Sequence, residues 1–183
     1  MYSIDTDGWL SDVTRRPSTN YNQRPLGHSI ELLVIHNISL PAGCFGTGYI
    51  EQLFCNTLDC SVHADFADLL DLRVSAHLLI DRLGEVIQFV SFLDRAWHAG
   101  VSHYAGRDNC NDFSIGIELE GCDNVPYTDL QYQQLQRVTD ALIKRFPLLT
   151  PERIVGHCDV APGRKTDPGP AFDWHRYLQY WEC

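Results

Sequence analysis

The chain has 183 residues, of which 44% are hydrophobic, and a formal net charge of −10. This size and composition predict one globular domain over residues 1–183, with a sizeable core. The negative charge argues against nucleic acid and membrane surfaces as partners, because both are phosphate-rich and attract basic faces.

The first third of the chain contains one strong strand signal. Residues 1–30 are polar with little periodicity, and we expect them to wrap the surface. The run of residues 31–36 has apolar residues at both odd-numbered and even-numbered positions. This pattern predicts a strand that is buried on both faces and ends at His36. Thr47 is the predicted N-cap of a short helix. Residues 56–72 show no clear pattern and are expected to form a loop.

The middle of the chain predicts a hairpin and a further strand. Residues 74–80 and 85–90 are strand-like runs, and the four residues between them end in glycine, which is typical of a hairpin. Residues 96–111 read as a loop. Residues 113–120 alternate strictly, so that Glu118 shares the polar face of a strand with its even-numbered neighbours.

The last third supplies two helices and a short strand. Thr128 and Gln131 have the spacing of a capping box, and Pro147 stops the helix that they open. Residues 153–156 form a short strand that leads into His157, and a final helix follows Trp174. Strands that alternate with helices and include a hairpin predict an α/β fold, in which helices flank a mixed central β-sheet.

A loop rich in side chains capable of catalysis follows His157. Residues 156–170 contain three prolines and three glycines, which exclude a helix or a central strand over most of the segment. His36 and His157 sit at predicted strand ends, and Asp167 lies in this loop. Two histidines and one carboxylate, with a fourth position left for water, are the ligand pattern of catalytic zinc. Each histidine taken alone could equally be a hydrogen-bonded structural residue.

Three further residues invite a catalytic interpretation, each with a simpler alternative. Glu118 could act as a general base beside Gly116, whose missing side chain would leave room for substrate; the alternative is a solvated carboxylate, more credible for Glu120. Lys165 could stabilise an oxyanion, or be an ordinary surface lysine. Residues 96–100 could form an aromatic cleft wall or simple core packing, whereas His77 is expected to be structural.

Six segments together resemble a known family: 34–37 (VIHN), 74–77 (VSAH), 96–100 (AWHAG), 114–118 (SIGIE), 156–157 (GH) and 165–170 (KTDPGP). The chain resembles the zinc N-acetylmuramoyl-L-alanine amidases, whose superfamily includes phage lysozyme-type amidases and peptidoglycan recognition proteins. Within the family it is most similar to the cytoplasmic members that cleave 1,6-anhydro-muropeptides. The resemblance runs from about residue 8 to residue 174.

The resemblance implies a Zn²⁺ ion held by His36, His157 and Asp167, with Glu118 and Lys165 as catalytic residues. It also implies a muropeptide-binding cleft that includes Asn37, Arg73, Trp97 and Arg164. The substrate carries carboxylates, so we expect Arg73, Arg107, Arg164 and Lys165 to make the cleft locally positive.

The implied reaction is hydrolysis of the amide between the lactyl group of N-acetylmuramic acid and L-alanine, in peptidoglycan recycling. Two alternatives stay open: a non-catalytic muropeptide-binding module of the same fold, and a zinc peptidase that cuts within the stem peptide.

The seven cysteines bear on the compartment in which the protein acts. None of them forms a CxxC pair, and the acidic N-terminus shows no export signal. We therefore expect reduced thiols in a cytoplasmic protein, and a monomer that acts on a small-molecule muropeptide.

Overall fold

The computed structural model describes residues 1–181, which form ten β-strands and four α-helices. The strands are β1 (Thr14–Arg15), β2 (Tyr21–Gln23), β3 (Leu32–Ile38), β4 (Leu78–Ile80), β5 (Val86–Gln88), β6 (Asp94–Ala96), β7 (His103–Tyr104), β8 (Arg107–Asp108), β9 (Ser114–Glu120) and β10 (Ile154–Gly156). The helices are α1 (Tyr49–Phe54), α2 (Asp129–Arg145), α3 (His157–Val160) and α4 (Trp174–Leu178).

Six strands form the central sheet in the order β1-β5-β4-β9-β3-β10. The pair β4 and β5 is antiparallel, and the other neighbouring pairs are parallel. The predicted α/β class with a mixed central sheet is therefore confirmed. Because β3, β9 and β10 are parallel, their carboxyl ends meet at one edge of the sheet.

One face of the sheet packs against the long helix α2. Leu33 and Ile35 of β3 join Ile115 and Ile117 of β9 in the largest apolar cluster, together with Leu135 of α2. The predicted capping box is confirmed: the Thr128 hydroxyl accepts from Gln131 N–H at 3.2 Å, and the Gln131 side chain accepts from Thr128 N–H at 3.1 Å. The opposite face of β3 and β9 therefore carries the residues between these apolar positions, among them His36 and Glu118.

That opposite face is covered as well, contrary to the expectation of a half-exposed strand. Every residue of β9 is buried. Glu120 is only 4% exposed, and its carboxylate accepts the backbone N–H groups of Gly46 at 2.6 Å and Arg82 at 3.2 Å. The solvated interpretation of Glu120 is wrong, because this carboxylate ties two turns to the sheet.

The main differences from the predicted elements lie in segments without periodicity. Residues 1–30 contribute β1 to the central sheet and β2 to a small second sheet with β6. Residues 56–72 include a 3₁₀ helix at Ala64–Leu69, and residues 96–111 contain the β7–β8 hairpin. The N-cap of α1 is Gly48, with φ of 74°, rather than Thr47.

The predicted hairpin and the predicted final helix are confirmed. The hairpin between residues 74 and 90 forms between β4 and β5, and Gly84 in its turn has φ of 80°. Helix α4 buries Tyr177 against the core, as its spacing predicts. Six cysteines among residues 1–181 are free thiols, and Cys183 lies outside the described residues. Within residues 1–181, none of the helices has the length and apolarity that crossing a bilayer requires.

Candidate active site

The carboxyl ends of three parallel strands place the predicted site residues side by side. His36 of β3 lies opposite Glu118 of β9 in the strand register. Gly156, the last residue of β10, pairs with Ile35, so His157 follows at the level of His36. The runs of apolar residues fix these strands in the sheet, and the sheet in turn brings together residues that are 121 positions apart in sequence.

His36, His157 and Asp167 converge on one point. The Nδ1 atoms of the two histidines are 3.0 Å apart, and each is 3.0 Å from Oδ2 of Asp167. Two ligands on a tetrahedral zinc ion, each at about 2.0 Å, would be about 3.3 Å apart. Two nitrogen atoms and one carboxylate oxygen at this spacing therefore fit a small divalent cation, with one coordination position left over.

The far nitrogen of His157 shows which tautomer it adopts. Its Nε2 lies 3.1 Å from the carbonyl oxygen of Ala99, which can only accept a hydrogen bond. Nε2 of His157 therefore carries the proton. The lone pair of Nδ1 then faces Asp167 and His36, as metal binding requires.

The loop that carries Asp167 is fixed by bonds on both sides of that residue. The carbonyl of Asp167 accepts the N–H of Cys158 at 3.0 Å. The next carbonyl, of Pro168, accepts from the Asn37 side chain at 3.0 Å and from the Tyr127 hydroxyl at 2.7 Å. These bonds hold the carboxylate against the two imidazoles, which offsets the entropy cost of ordering a loop so rich in glycine and proline.

Burial and hydrogen bonding shift the protonation of this group toward the metal-binding forms. Burial lowers the pKa of His36 to about 4, so its imidazole is neutral at physiological pH. Burial alone would raise the pKa of Asp167, but its close contacts with His157 and His36 outweigh burial and leave that pKa below its ordinary value. The site therefore presents neutral imidazole and ionised carboxylate at pH 7, the forms that bind metal.

Glu118 lies in the same cleft as this group of three residues and is almost fully enclosed. It is 8% exposed, and its buried Oε2 has no hydrogen-bond partner among the described residues. Burial and the nearby Asp167 carboxylate raise the pKa of Glu118 well above its usual value, while Lys165 opposes the shift. Glu118 is thus a carboxylate with raised proton affinity and a free oxygen atom.

The cleft has a volume of about 270 Å³ and is lined by both polar and apolar side chains. Lys165 is an exposed residue that nevertheless lines this cleft, as does Asp167. Asn37 and Trp97 also line it, and their side chains are held by hydrogen bonds to Asp123 and Asn22. The structure therefore brings seven of the nine predicted site residues to one cleft.

Arg73 and Arg164, the other two, make their hydrogen bonds elsewhere. Arg73 donates to the backbone carbonyls of Leu70 and Leu72. Arg164 donates to the carbonyl of Ala99 at 2.6 Å, the oxygen that also accepts from His157. Arg107 forms a salt bridge with Glu31. Of the four cations expected around the cleft, Lys165 is the one that lines it.

Two features of the cleft were not predicted from the sequence. His98 touches the metal-capable group, because its Nδ1 is 3.0 Å from Nε2 of His36. The space beside Gly116, which we expected to receive substrate, is filled by this imidazole: a Cβ at Gly116 would overlap the His98 ring. The second feature is an apolar wall drawn from the segment expected to be a loop and from its flanks, namely Leu40, Leu53, Phe54, Leu69, Leu72 and Val74.

Comparisons with known proteins agree with this geometry. The family model for N-acetylmuramoyl-L-alanine amidase matches residues 26–170. The 1,6-anhydro-N-acetylmuramyl-L-alanine amidase AmpD of Escherichia coli is 58% identical over 170 residues, which cover 93% of this chain and 92% of AmpD.

Solved structures show the same fold. A crystal structure of a selenomethionine AmpD derivative superposes with a TM-score of 0.93 at 56% identity, covering 96% of this chain and 97% of that one. The E. coli amidase AmiD, solved with the substrate anhydro-N-acetylmuramic acid-L-Ala-D-γ-Glu-L-Lys, superposes with a TM-score of 0.61 at 30% identity, covering 96% of this chain and 64% of AmiD. The chain therefore belongs to the N-acetylmuramoyl-L-alanine amidase family.

Proposed function

We propose that the protein hydrolyses the amide between the lactyl group of 1,6-anhydro-N-acetylmuramic acid and L-alanine in muropeptides, during cell-wall recycling. The observation that carries this proposal is the convergence of His36, His157 and Asp167 in a cleft that also contains Glu118. A relative 58% identical over nearly the whole chain is named for this reaction.

The proposed metal ligands are Nδ1 of His36, Nδ1 of His157 and Oδ2 of Asp167. A bound zinc ion supplies a Lewis acid that polarises the amide carbonyl and makes water nucleophilic near neutral pH. The chain's own contribution is to keep the His36 imidazole neutral, Asp167 ionised and all three donor atoms in place before the ion arrives.

Glu118 is the proposed general base and then general acid. A carboxylate with raised proton affinity accepts a proton from the attacking water more readily than an ordinary glutamate, and its free Oε2 faces no competing donor among the described residues. The same carboxyl group then delivers that proton to the amine of L-alanine as the C–N bond breaks. Without this transfer the amine would leave as an anion, which is too unstable at neutral pH.

Lys165 is the proposed electrostatic partner of the developing oxyanion. Lys165 lines the cleft, and its positive charge lowers the pKa of Glu118, so that charge acts on the reaction centre. A donor aimed at an oxyanion contributes roughly 100- to 1000-fold in rate. The tetrahedral intermediate carries more charge on oxygen than the amide does, so the lysine favours the transition state over bound substrate.

The cleft walls suit a muropeptide of this kind. The leucine-rich wall can cover the apolar face of an anhydro sugar, which lacks the reducing-end hydroxyl, and Asn37 and Trp97 line the same cleft. The related amidase AmiD has been solved with an anhydro-muramyl tripeptide. We therefore propose Asn37 and Trp97 as substrate contacts; roles for Arg73 and Arg164 in binding stay predictions.

Product analysis separates this function from its two rivals. Purified protein supplied with zinc is incubated with anhydro-N-acetylmuramyl tripeptide, and the products are identified by mass spectrometry. Free anhydro-N-acetylmuramic acid with an intact peptide that begins with L-alanine would support the proposal. Cleavage within the peptide would indicate a peptidase, and bound but uncleaved substrate would indicate a binding module.

A cytoplasmic location and a monomeric state complete the proposal. Cell fractionation with antibody detection tests the first, and size-exclusion chromatography with light scattering tests the second.

A further inference from the structure

The imidazole of His98 is held on both of its nitrogen atoms. Its Nδ1 lies 3.0 Å from Nε2 of His36, and its Nε2 lies 3.1 Å from Oγ of Ser114. The ring fits against the strand only because residue 116 is glycine, since any Cβ there would overlap the imidazole. A ring fixed in this way has a defined direction in which it can accept or donate a hydrogen bond.

Metal binding at Nδ1 of His36 determines which nitrogen atoms of His36 and His98 carry protons. Neutral His36 offers the lone pair of Nδ1 to a cation when its proton is on Nε2. The partner that faces this N–H is Nδ1 of His98, which must then be the unprotonated nitrogen. His98 therefore carries its own proton on Nε2 and donates it to the hydroxyl oxygen of Ser114.

We propose that His98 is a positioning residue: it accepts the Nε2–H of His36 and so holds His36 in the tautomer and orientation that bind the metal. The inference rests on the proposed function, because it assumes zinc at this site. The role parallels that of the Ala99 carbonyl, which accepts the Nε2–H of His157. Each metal-binding histidine thus has one acceptor for its far nitrogen, and both acceptors come from consecutive residues of a single turn.

Two matched substitutions separate this hydrogen bond from mere packing. His98→Asn keeps an acceptor, because an asparagine side-chain oxygen can occupy the place of Nδ1, whereas His98→Leu has nearly the same shape as asparagine and no acceptor. Zinc affinity is measured by competition with a chromophoric chelator. Loss of such an outer partner typically weakens metal binding about 10- to 100-fold, so we expect that loss in the leucine variant and affinity close to wild type in the asparagine variant.

Equal losses in both variants, or no loss in the leucine variant, would overturn the proposal. A measurement on the unmodified zinc-loaded protein does not depend on how the variants fold. Nitrogen-15 NMR of the imidazole groups should show His98 protonated on Nε2 and bare on Nδ1. A proton on Nδ1 of His98 would leave it unable to accept from His36 and would end the inference.

The outcomes also distinguish this inference from the proposed function. Wild-type protein that binds no zinc would overturn both. If wild-type protein binds zinc and cleaves muropeptide, and His98→Leu binds zinc with unchanged affinity, only the role of His98 is overturned.

Discussion

Glu118→Gln is the substitution that isolates proton transfer from the rest of the site. The amide has the size and shape of the carboxylate, and the strand around it is buried on both faces, so the backbone should not move. Glu118 is absent from the group that could hold a metal, so zinc content should stay at the wild-type level. What the variant loses is a group that can take up and release a proton.

The expected size of the effect follows from that role. General acid–base catalysis contributes about 10²- to 10⁴-fold in rate, which corresponds to about 3–5 kcal/mol of transition-state stabilisation. We expect kcat for anhydro-muropeptide hydrolysis to fall by this factor while KM changes little. The assay is release of peptide followed by chromatography, at equal zinc occupancy confirmed by elemental analysis.

Glu120→Gln is the matched control, since Glu120 lies two residues further along the same buried strand face. The two oxygen atoms of Glu120 accept the backbone N–H groups of Gly46 and Arg82. In Glu120→Gln an amide NH₂ faces one of these N–H groups and cannot accept its hydrogen bond. We expect a loss of about 1–3 kcal/mol in the free energy of unfolding and little change in kcat. Near-wild-type kcat in Glu118→Gln, or an equal fall of kcat in both variants, would refute the role of Glu118.

The raised pKa of Glu118 also affects stability: the ionised carboxylate destabilises the folded protein, and Glu118→Gln removes that destabilisation. An acid whose pKa is raised by folding stabilises the fold most below its unfolded pKa, and this contribution is lost as the pH rises through the folded pKa. In metal-free protein, the Tm of Glu118→Gln relative to wild type should therefore increase as the pH rises from the usual pKa of a glutamate toward the raised pKa of Glu118. A difference that does not change with pH would contradict the burial of an ionised carboxylate.

Three further substitutions test other parts of the account. Asp167→Ala removes one of three proposed ligands, so zinc content by elemental analysis and activity should be lost together; full zinc content would contradict the ligand assignment. Lys165→Met should keep zinc and lower kcat by roughly 100- to 1000-fold, and an unchanged kcat would remove Lys165 from catalysis. Leu135→Ala should lower the free energy of unfolding by about 2–5 kcal/mol in urea titration, because this side chain is fully buried between α2 and the sheet; a loss below 1 kcal/mol would contradict that packing.

Strong periodicity made the centre of the fold predictable. The doubly apolar run that ends near His36 and the strict alternation around Glu118 specify two central strands, and parallel neighbours place their carboxyl ends together. The capping box at Thr128 fixes where α2 begins. The two histidine ligands could be named because each lies at the end of a predicted strand, and Asp167 because it lies in the loop that follows His157.

Contacts between segments that are distant in sequence could not be predicted from local patterns. Leu69 and Leu72 of the leucine-rich wall come from a segment without helical or strand spacing, so only the folded chain brings them to the cleft. Arg73 and Arg164 are long side chains whose nearest acceptors are backbone carbonyls, and nothing local in the sequence specifies that choice. The expectation that Gly116 leaves room for substrate is wrong, because His98, which comes from another element, fills the space.

Zinc titration of metal-stripped protein tests the central claim most directly. We expect amidase activity to return in proportion to added Zn²⁺ and to saturate at one equivalent per chain, and we expect no such recovery in Asp167→Ala. Full cleavage of the muramyl–alanine amide by wild-type protein kept free of metal with a chelator would contradict it.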